Sequence, residues 1–88
     1  MKFMVHYTLG NAQRDAAQRR FAETGGGPPA GVTMIERWHC AQGLEGFLVC
    51  ETNDAAALAK WMQDWTDLLS FRALPVVDDQ TLAQLLGA

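Results

Sequence analysis

Two histidines, an arginine and two thiols are the residues of this 88-residue chain whose chemistry could exceed packing: His6, His39, Arg37, Cys40 and Cys50. Histidine titrates closest to neutral pH and can serve as a general base, and an arginine beside it can hold an anionic or carbonyl oxygen. If the strands set out below alternate regularly, His6, Thr8, Arg37, His39 and Glu51 converge around Phe47 and Val49. A few polar groups in a half-apolar cleft are the usual make-up of a small-ligand site. The competing reading pairs Arg37 with Glu51 diagonally across a hairpin, leaves His39 as a half-exposed packing residue, and lets His6 donate to a neighbour across a dimer interface. No residue is assigned a catalytic role on this basis.

Other chemistries lack their residue patterns. His6, His39, Cys40 and Cys50 are metal-ligating types, but no paired spacing such as Cys-x-x-Cys brings them together, so no metal is expected. The stretch Gly25 to Gly31 (GGGPPAG) is followed by a strand rather than by Lys-Ser or Lys-Thr and a helix, which speaks against a phosphate loop. There is no Ser-His-Asp order, nucleophile elbow or dinucleotide glycine fingerprint. No cofactor is expected.

The elements that must position these residues follow from hydrophobic periodicity. Lys2 to Leu9 alternates, with Phe3, Val5, Tyr7 and Leu9 on one face and Met4, His6 and Thr8 on the other, which predicts a strand. Asn11 is a good N-cap for a helix reaching Thr24, with Ala17 and Phe21 on one side and Gly25 as its stop. Val32 to Cys40 and Gly46 to Thr52 read as a hairpin around Gly43. Leu58, Trp61, Met62, Trp65, Leu68 and Leu69 recur at steps of three and four after a cap at Asn53 or Asp54, the strongest helical pattern in the chain. That spacing makes Trp61 and Trp65 core anchors before it makes them a stacking platform, while Trp38 could belong to pocket or core. Phe71 to Val77 is a last strand, placed at an edge or the end of pairing by Pro75, and Asp78 or Asp79 caps a short tail helix bearing Leu82, Leu85 and Leu86.

The hairpin register decides which polar residues share a face. If Cys40 faces Gly46 and Trp38 faces Leu48, then Met34, Glu36, Trp38, Cys40, Leu48 and Cys50 lie together. Ile35, Arg37, His39, Phe47, Val49 and Glu51 then lie opposite, and a one-residue slip would regroup them. The same register leaves Cys40 and Cys50 about four residues out of step, on the order of 13 Å and beyond disulfide reach, so free, buried thiols are expected.

This order of elements predicts one α+β domain spanning residues 1–88, a ferredoxin-like βαββαβ fold. Its four-stranded antiparallel sheet carries two helices on one face and a short C-terminal helix follows. At 49% hydrophobic and 19% charged residues the chain can build a single core. Its other sheet face must be covered by the tail helix or by a second copy, and a homodimer closing a dimeric α/β barrel is the expectation. Seven Lys and Arg scattered among ten acidic residues, net charge −3, carry no nucleic-acid footprint. The N-terminal stretch reads as a strand rather than a signal peptide, and no apolar run approaches the roughly 18 residues of a membrane span, so no membrane partner and a cytoplasmic location are expected.

The stretches MKFMV (1–5), RDAAQRRFAETGGGPPAGV (14–32), RWH (37–39), GFLVCETNDAAALAKWMQDWTDLL (46–69) and PVVDD (75–79) resemble a family of small bacterial proteins classed as domain of unknown function 3303. The resemblance implies a place near the dimeric α/β-barrel proteins, whose relatives include cofactor-independent monooxygenases, lactone isomerases and stress-responsive proteins, and it assigns no catalytic residues. Two functions are therefore open. One is binding of a small molecule in a cleft on the open sheet face at a homodimer interface, as an enzyme without a cofactor or as a binder. The other is a non-enzymatic structural or interaction module whose open face serves only self-association.

Overall fold

The computed structural model describes Met1–Gly87. Four strands, β1 (Lys2–Thr8), β2 (Val32–His39), β3 (Glu45–Thr52) and β4 (Ser70–Val76), form one antiparallel sheet in the order β2-β3-β1-β4. Helices α1 (Arg14–Thr24) and α2 (Ala55–Gln63) supply the connections that let β1 sit between β3 and β4, and α3 (Asp79–Leu85) ends the chain. This is the predicted ferredoxin-like α+β arrangement. Pro75 lies on the edge strand β4, where its missing N–H removes no bond from a central ladder.

Alternation along β1 holds as read, with Phe3, Val5 and Tyr7 toward the helices. Val5, Val32, Leu48 and Cys50 of the sheet meet Leu58 and Trp61 of α2 in the core, and Ala17 of α1 is also buried. Asp54 caps α2 by accepting from the Ala57 amide at 3.0 Å, and Thr52 braces the same corner, its hydroxyl donating to the Gly31 carbonyl at 2.7 Å. Asp78 caps α3 in the same way, through the Thr81 amide at 2.8 Å.

Two helix boundaries differ from the expectation. Asn11 caps nothing with its side chain; a 3-10 turn, Asn11–Gln13, leads into α1 instead. Helix α2 stops at Gln63 although its apolar spacing continues, and Trp65, Leu68 and Leu69 follow in turns. The Asp64 carbonyl is taken by the Arg20 guanidinium at 2.9 Å, which also grips Asp67 with two bonds of 2.8 and 2.7 Å, so a side chain from α1 holds the chain where the helix ends.

The hairpin register is one residue away from the expected one. His39 pairs with Gly46, Arg37 with Leu48 and Trp38 with Phe47, and the turn is the four residues 41–44. The Cys40 amide closes it on the Glu45 carbonyl, and Gly43 takes the left-handed conformation the turn needs (φ 81°). A bulge between Met34 and Glu36 then absorbs Ile35 as an extra residue. Val32 and Met34 thereby stay on the helix side with Arg37 and His39, while Glu36 and Trp38 go to the open face.

That open face is bare. Trp38 (49% exposed), Leu74 (47%), Phe47 (38%), Met4 and Val76 stand on it. The tail helix does not cover it: α3 buries none of its residues, and Leu82, Leu85 and Leu86 are exposed as well.

Candidate functional site

The six sequence candidates divide between the two faces of the sheet. His6, Thr8, Phe47 and Glu51 stand on the open face, whereas Arg37 and His39 project among the helices, so the expected convergence of all six does not occur. The cause is the register, since a one-residue slip moves a strand's whole side-chain set to the other face. On the open face, His6 stacks on Phe47 with ring centres 4.5 Å apart and meets Glu45 at 2.9 Å. Thr8 is exposed at the end of β1, opposite Glu45 and Ser70. Glu51 receives the N-terminal ammonium at 2.7 Å and is not paired with Arg37, which corrects the expected cross-hairpin ion pair.

Arg37 has a different task. It donates to the Gly25 and Gly26 carbonyls at 2.9 and 2.8 Å and lies over the Phe21 ring, 4.8 Å from its centre. The Gly26 carbonyl also accepts the Trp61 indole N–H at 3.3 Å. The glycine-rich stretch thus presents carbonyls to cations and donors, the opposite polarity from a phosphate cradle. A side chain at Gly26, which has φ 58°, would press on both the Phe21 ring and the Arg37 guanidinium.

Between the helices and the sheet, on this side, a cleft of about 310 Å³ opens to solvent. Its walls are apolar: Phe21 from α1, Leu48 from β3, Trp61 and Met62 from α2, then Trp65 and Phe71. The polar groups are gathered at one end, where the Tyr7 hydroxyl and His39 Nδ1 are 2.6 Å apart and Arg37 lies one alternate position along β2 from His39. Phe21 meets the His39 ring edge-on with centres 5.2 Å apart, so it is flanked by imidazole and guanidinium.

The electrostatics of this end follow from partial burial. Desolvation, reinforced by the Arg37 charge, pushes the His39 pKa below its ordinary value, so the imidazole is neutral at pH 7. Desolvation raises the Tyr7 hydroxyl, the Cys40 thiolate form would raise it further, and Arg37 pulls it down. Burial also lowers Arg37, which nevertheless stays a cation. A neutral imidazole with its proton on Nε2 accepts from the Tyr7 hydroxyl through Nδ1, and the Nδ1–H tautomer would reverse that bond.

Tyr7 shares the face of β1 that carries Phe3 and Val5, and its place in the site depends on Gly46. A Cβ there would collide with the Tyr7 ring and lie 2.6 Å from the Trp38 carbonyl, so only glycine lets the ring lie across β3 toward His39. The alternation of β1 already put Tyr7 on the helix side; the missing signal was the register of β2. Cys40 and Cys50 are free thiols, as expected, but only Cys50 is buried, and Cys40 sits at the cleft. Among the described residues no cluster of three metal-ligating side chains occurs, and no helix is long and apolar enough to cross a membrane.

A four-stranded antiparallel sheet with both long helices on one face and a one-ended polar cleft between the layers defines a ferredoxin-like α+β domain. Within that class, the chain belongs to the family described as domain of unknown function DUF3303, whose family model matches residues 1–88. No curated protein matches it.

Proposed function

We propose that this protein binds a small molecule in the cleft between its sheet and helices, and that it self-associates through the opposite, open face. The observation that carries the first part is the cleft itself: about 310 Å³, near the lower end of the roughly 300–1,000 Å³ of small-molecule sites, apolar-walled, with Tyr7, His39 and Arg37 at one end. The site is therefore proposed beneath the helices, not on the open face where the sequence placed it. Whether binding leads to turnover depends on what the polar end does to the ligand.

Self-association is supported by surface arithmetic. A 9.7 kDa monomer is expected to expose about 5,100 Å², and this chain exposes 5837 Å². The excess, roughly 700 Å², is close to the roughly 800 Å² each partner buries in a standard interface. The radius of gyration, 14.6 Å, likewise exceeds the roughly 12 Å expected for 88 residues. Helix α3, which buries none of its residues, contributes to both, and a second copy would cover the open face, where apolar Met4, Phe47, Trp38 and Leu74 stand among His6, Glu36, Arg72 and Glu51. The protein as a purely structural module would use the same face and leave the cleft empty.

Amide and indole NMR shifts during a screen of small aromatic and aliphatic compounds test the reading. Shifts are expected at Tyr7, Phe21, Trp61 and Trp65; shifts confined to His6, Trp38 and Phe47, or none at all, would reject the cleft as the site.

A further inference from the structure

The polar end of the cleft holds Tyr7 and His39 in contact, with Arg37 close by on the same strand face as His39. Tyr7 Oη and His39 Nδ1 lie 2.6 Å apart, and with the proton of the neutral imidazole on Nε2 the Tyr7 hydroxyl gives its hydrogen to Nδ1 and the tyrosine oxygen offers lone pairs to whatever enters. A ligand that satisfies it must bring a donor, a hydroxyl rather than a carbonyl. Most of the remaining lining is aromatic and thioether surface from Phe21, Trp61, Met62 and Phe71, with Gln18 of α1 as a further polar side chain, which fits a flat, largely apolar body. His39 lies at the mouth, with its ring partly in solvent, so a proton arriving on it has an exit.

From this geometry, and resting on the reading that the cleft binds a small molecule, we infer that its ligand is a weakly acidic aromatic or enolic hydroxyl compound, which the cleft ionises through a Tyr7–His39 proton relay. The ligand O–H bond breaks as its proton passes to the Tyr7 oxygen, and the Tyr7 O–H bond breaks as that proton passes to His39 Nδ1. The products are a bound oxyanion, a neutral tyrosine now donating to it, and an imidazolium. Release of the imidazolium proton to water restores the neutral pair, and the step needs no oxidant or metal.

The surrounding charges favour that outcome. The ionisable residues lining the cleft, among the described residues, are Tyr7 of β1, Arg37 and His39 of β2, and Cys40 just beyond; α1, α2 and β4 bring none. Arg37 is the fixed positive charge, held in place by the two glycine carbonyls and the Phe21 face. It attracts the oxyanion and repels a lasting imidazolium, so the proton is driven outward. His39, acidified by burial and by the same arginine, is a base ready at neutral pH.

4-Nitrophenol, whose anion absorbs visible light, reports this directly, with nitrobenzene as a probe of the same shape without the hydroxyl. Bound to the wild-type protein, 4-nitrophenol is expected to ionise with an apparent pKa lower by about one unit, a tenfold preference for the anion. Tyr7→Phe and His39→Gln should each abolish that shift while still binding nitrobenzene, with folding checked by circular dichroism. If nitrobenzene binds but the pKa of bound 4-nitrophenol is unchanged or raised, or if the shift survives in both variants, the relay is wrong and cleft binding stands. If neither probe binds, both the relay and the binding site are wrong.

Discussion

The two faces of this sheet are made from the same strands, residue by alternate residue, yet they are organised for different neighbours. On the helix side Val5 and Cys50 are fully buried and Leu48 nearly so, and three polar side chains have definite partners inside the chain: Arg37 on glycine carbonyls, Tyr7 on His39, Thr52 on Gly31. On the open side Trp38, Phe47 and Leu74 face solvent, and the polar groups pair with one another, His6 with Glu45 and Glu51 with the N-terminus. A covered face with a gap in its apolar filling is a place for a small molecule. An uncovered, largely apolar face is, on the proposal above, the place for a second copy.

The contrast can be broken most severely at the tryptophans. Trp61→Ala removes a side chain that is 3% exposed and should cost about 3–5 kcal/mol, a large part of the roughly 5–15 kcal/mol of a small domain. Trp38→Ala, on the open face, should leave the stability of the isolated subunit within about 0.5 kcal/mol. Urea unfolding at low protein concentration compares them, and equal losses would mean that the two faces are not distinct.

Association should respond the other way round. Trp38→Glu puts a charge in place of the most exposed aromatic ring of the open face, on edge strand β2, and should weaken self-association by a factor on the order of thirty or more, equivalent to about 2 kcal/mol, read by analytical ultracentrifugation. Binding in the cleft should survive in that variant. Gly46→Ala tests the other side: the added methyl displaces the Tyr7 ring and should cost about 1–3 kcal/mol while the Tyr7–His39 contact is lost, visible as a moved His39 ring signal in NMR.

The smallest effect is on pH. His39 has a folded pKa below its ordinary 6.5, so the folded state binds its proton less readily than the unfolded chain does. Its contribution to stability is therefore complete above about pH 6.5 and falls away as the pH drops through the folded pKa. His39→Gln should flatten that part of the stability profile. Asp67, lowered by its hydrogen bonds from Arg20, keeps its contribution down to about its ordinary 3.8 and loses it only below, so the two windows separate.

Much of the architecture was legible because periodicity reports burial. The alternation of Lys2–Leu9 identified the faces of β1, the three-and-four spacing around Trp61 identified α2, and Pro75 pointed to an edge strand. The same rule also misled, since Trp65 and Leu69 keep helical spacing outside the helix, where Arg20 takes the Asp64 carbonyl. Of the site, Arg37 and His39 were legible as chemistry-bearing types on one strand face. Their company was not: Tyr7 replaced His6, and the carbonyls of Gly25 and Gly26 replaced Glu51.

By itself, the sequence determined the number and kind of elements, the covered face of β1, the single core and the lack of any motif for metal or phosphate, because these follow from local patterns of polarity and residue type. Only the tertiary structure decided the register of β2 against β3, the bulge at Ile35 and, through them, the face on which Arg37 and His39 stand. Side chains in a strand repeat every two residues, so a hairpin turn shorter by one exchanges inside for outside. The energy that chose the turn is spread over pairings with β1, the packing of Tyr7 on Gly46 and the reach of Arg37 to the glycine carbonyls, none of which is local in the chain.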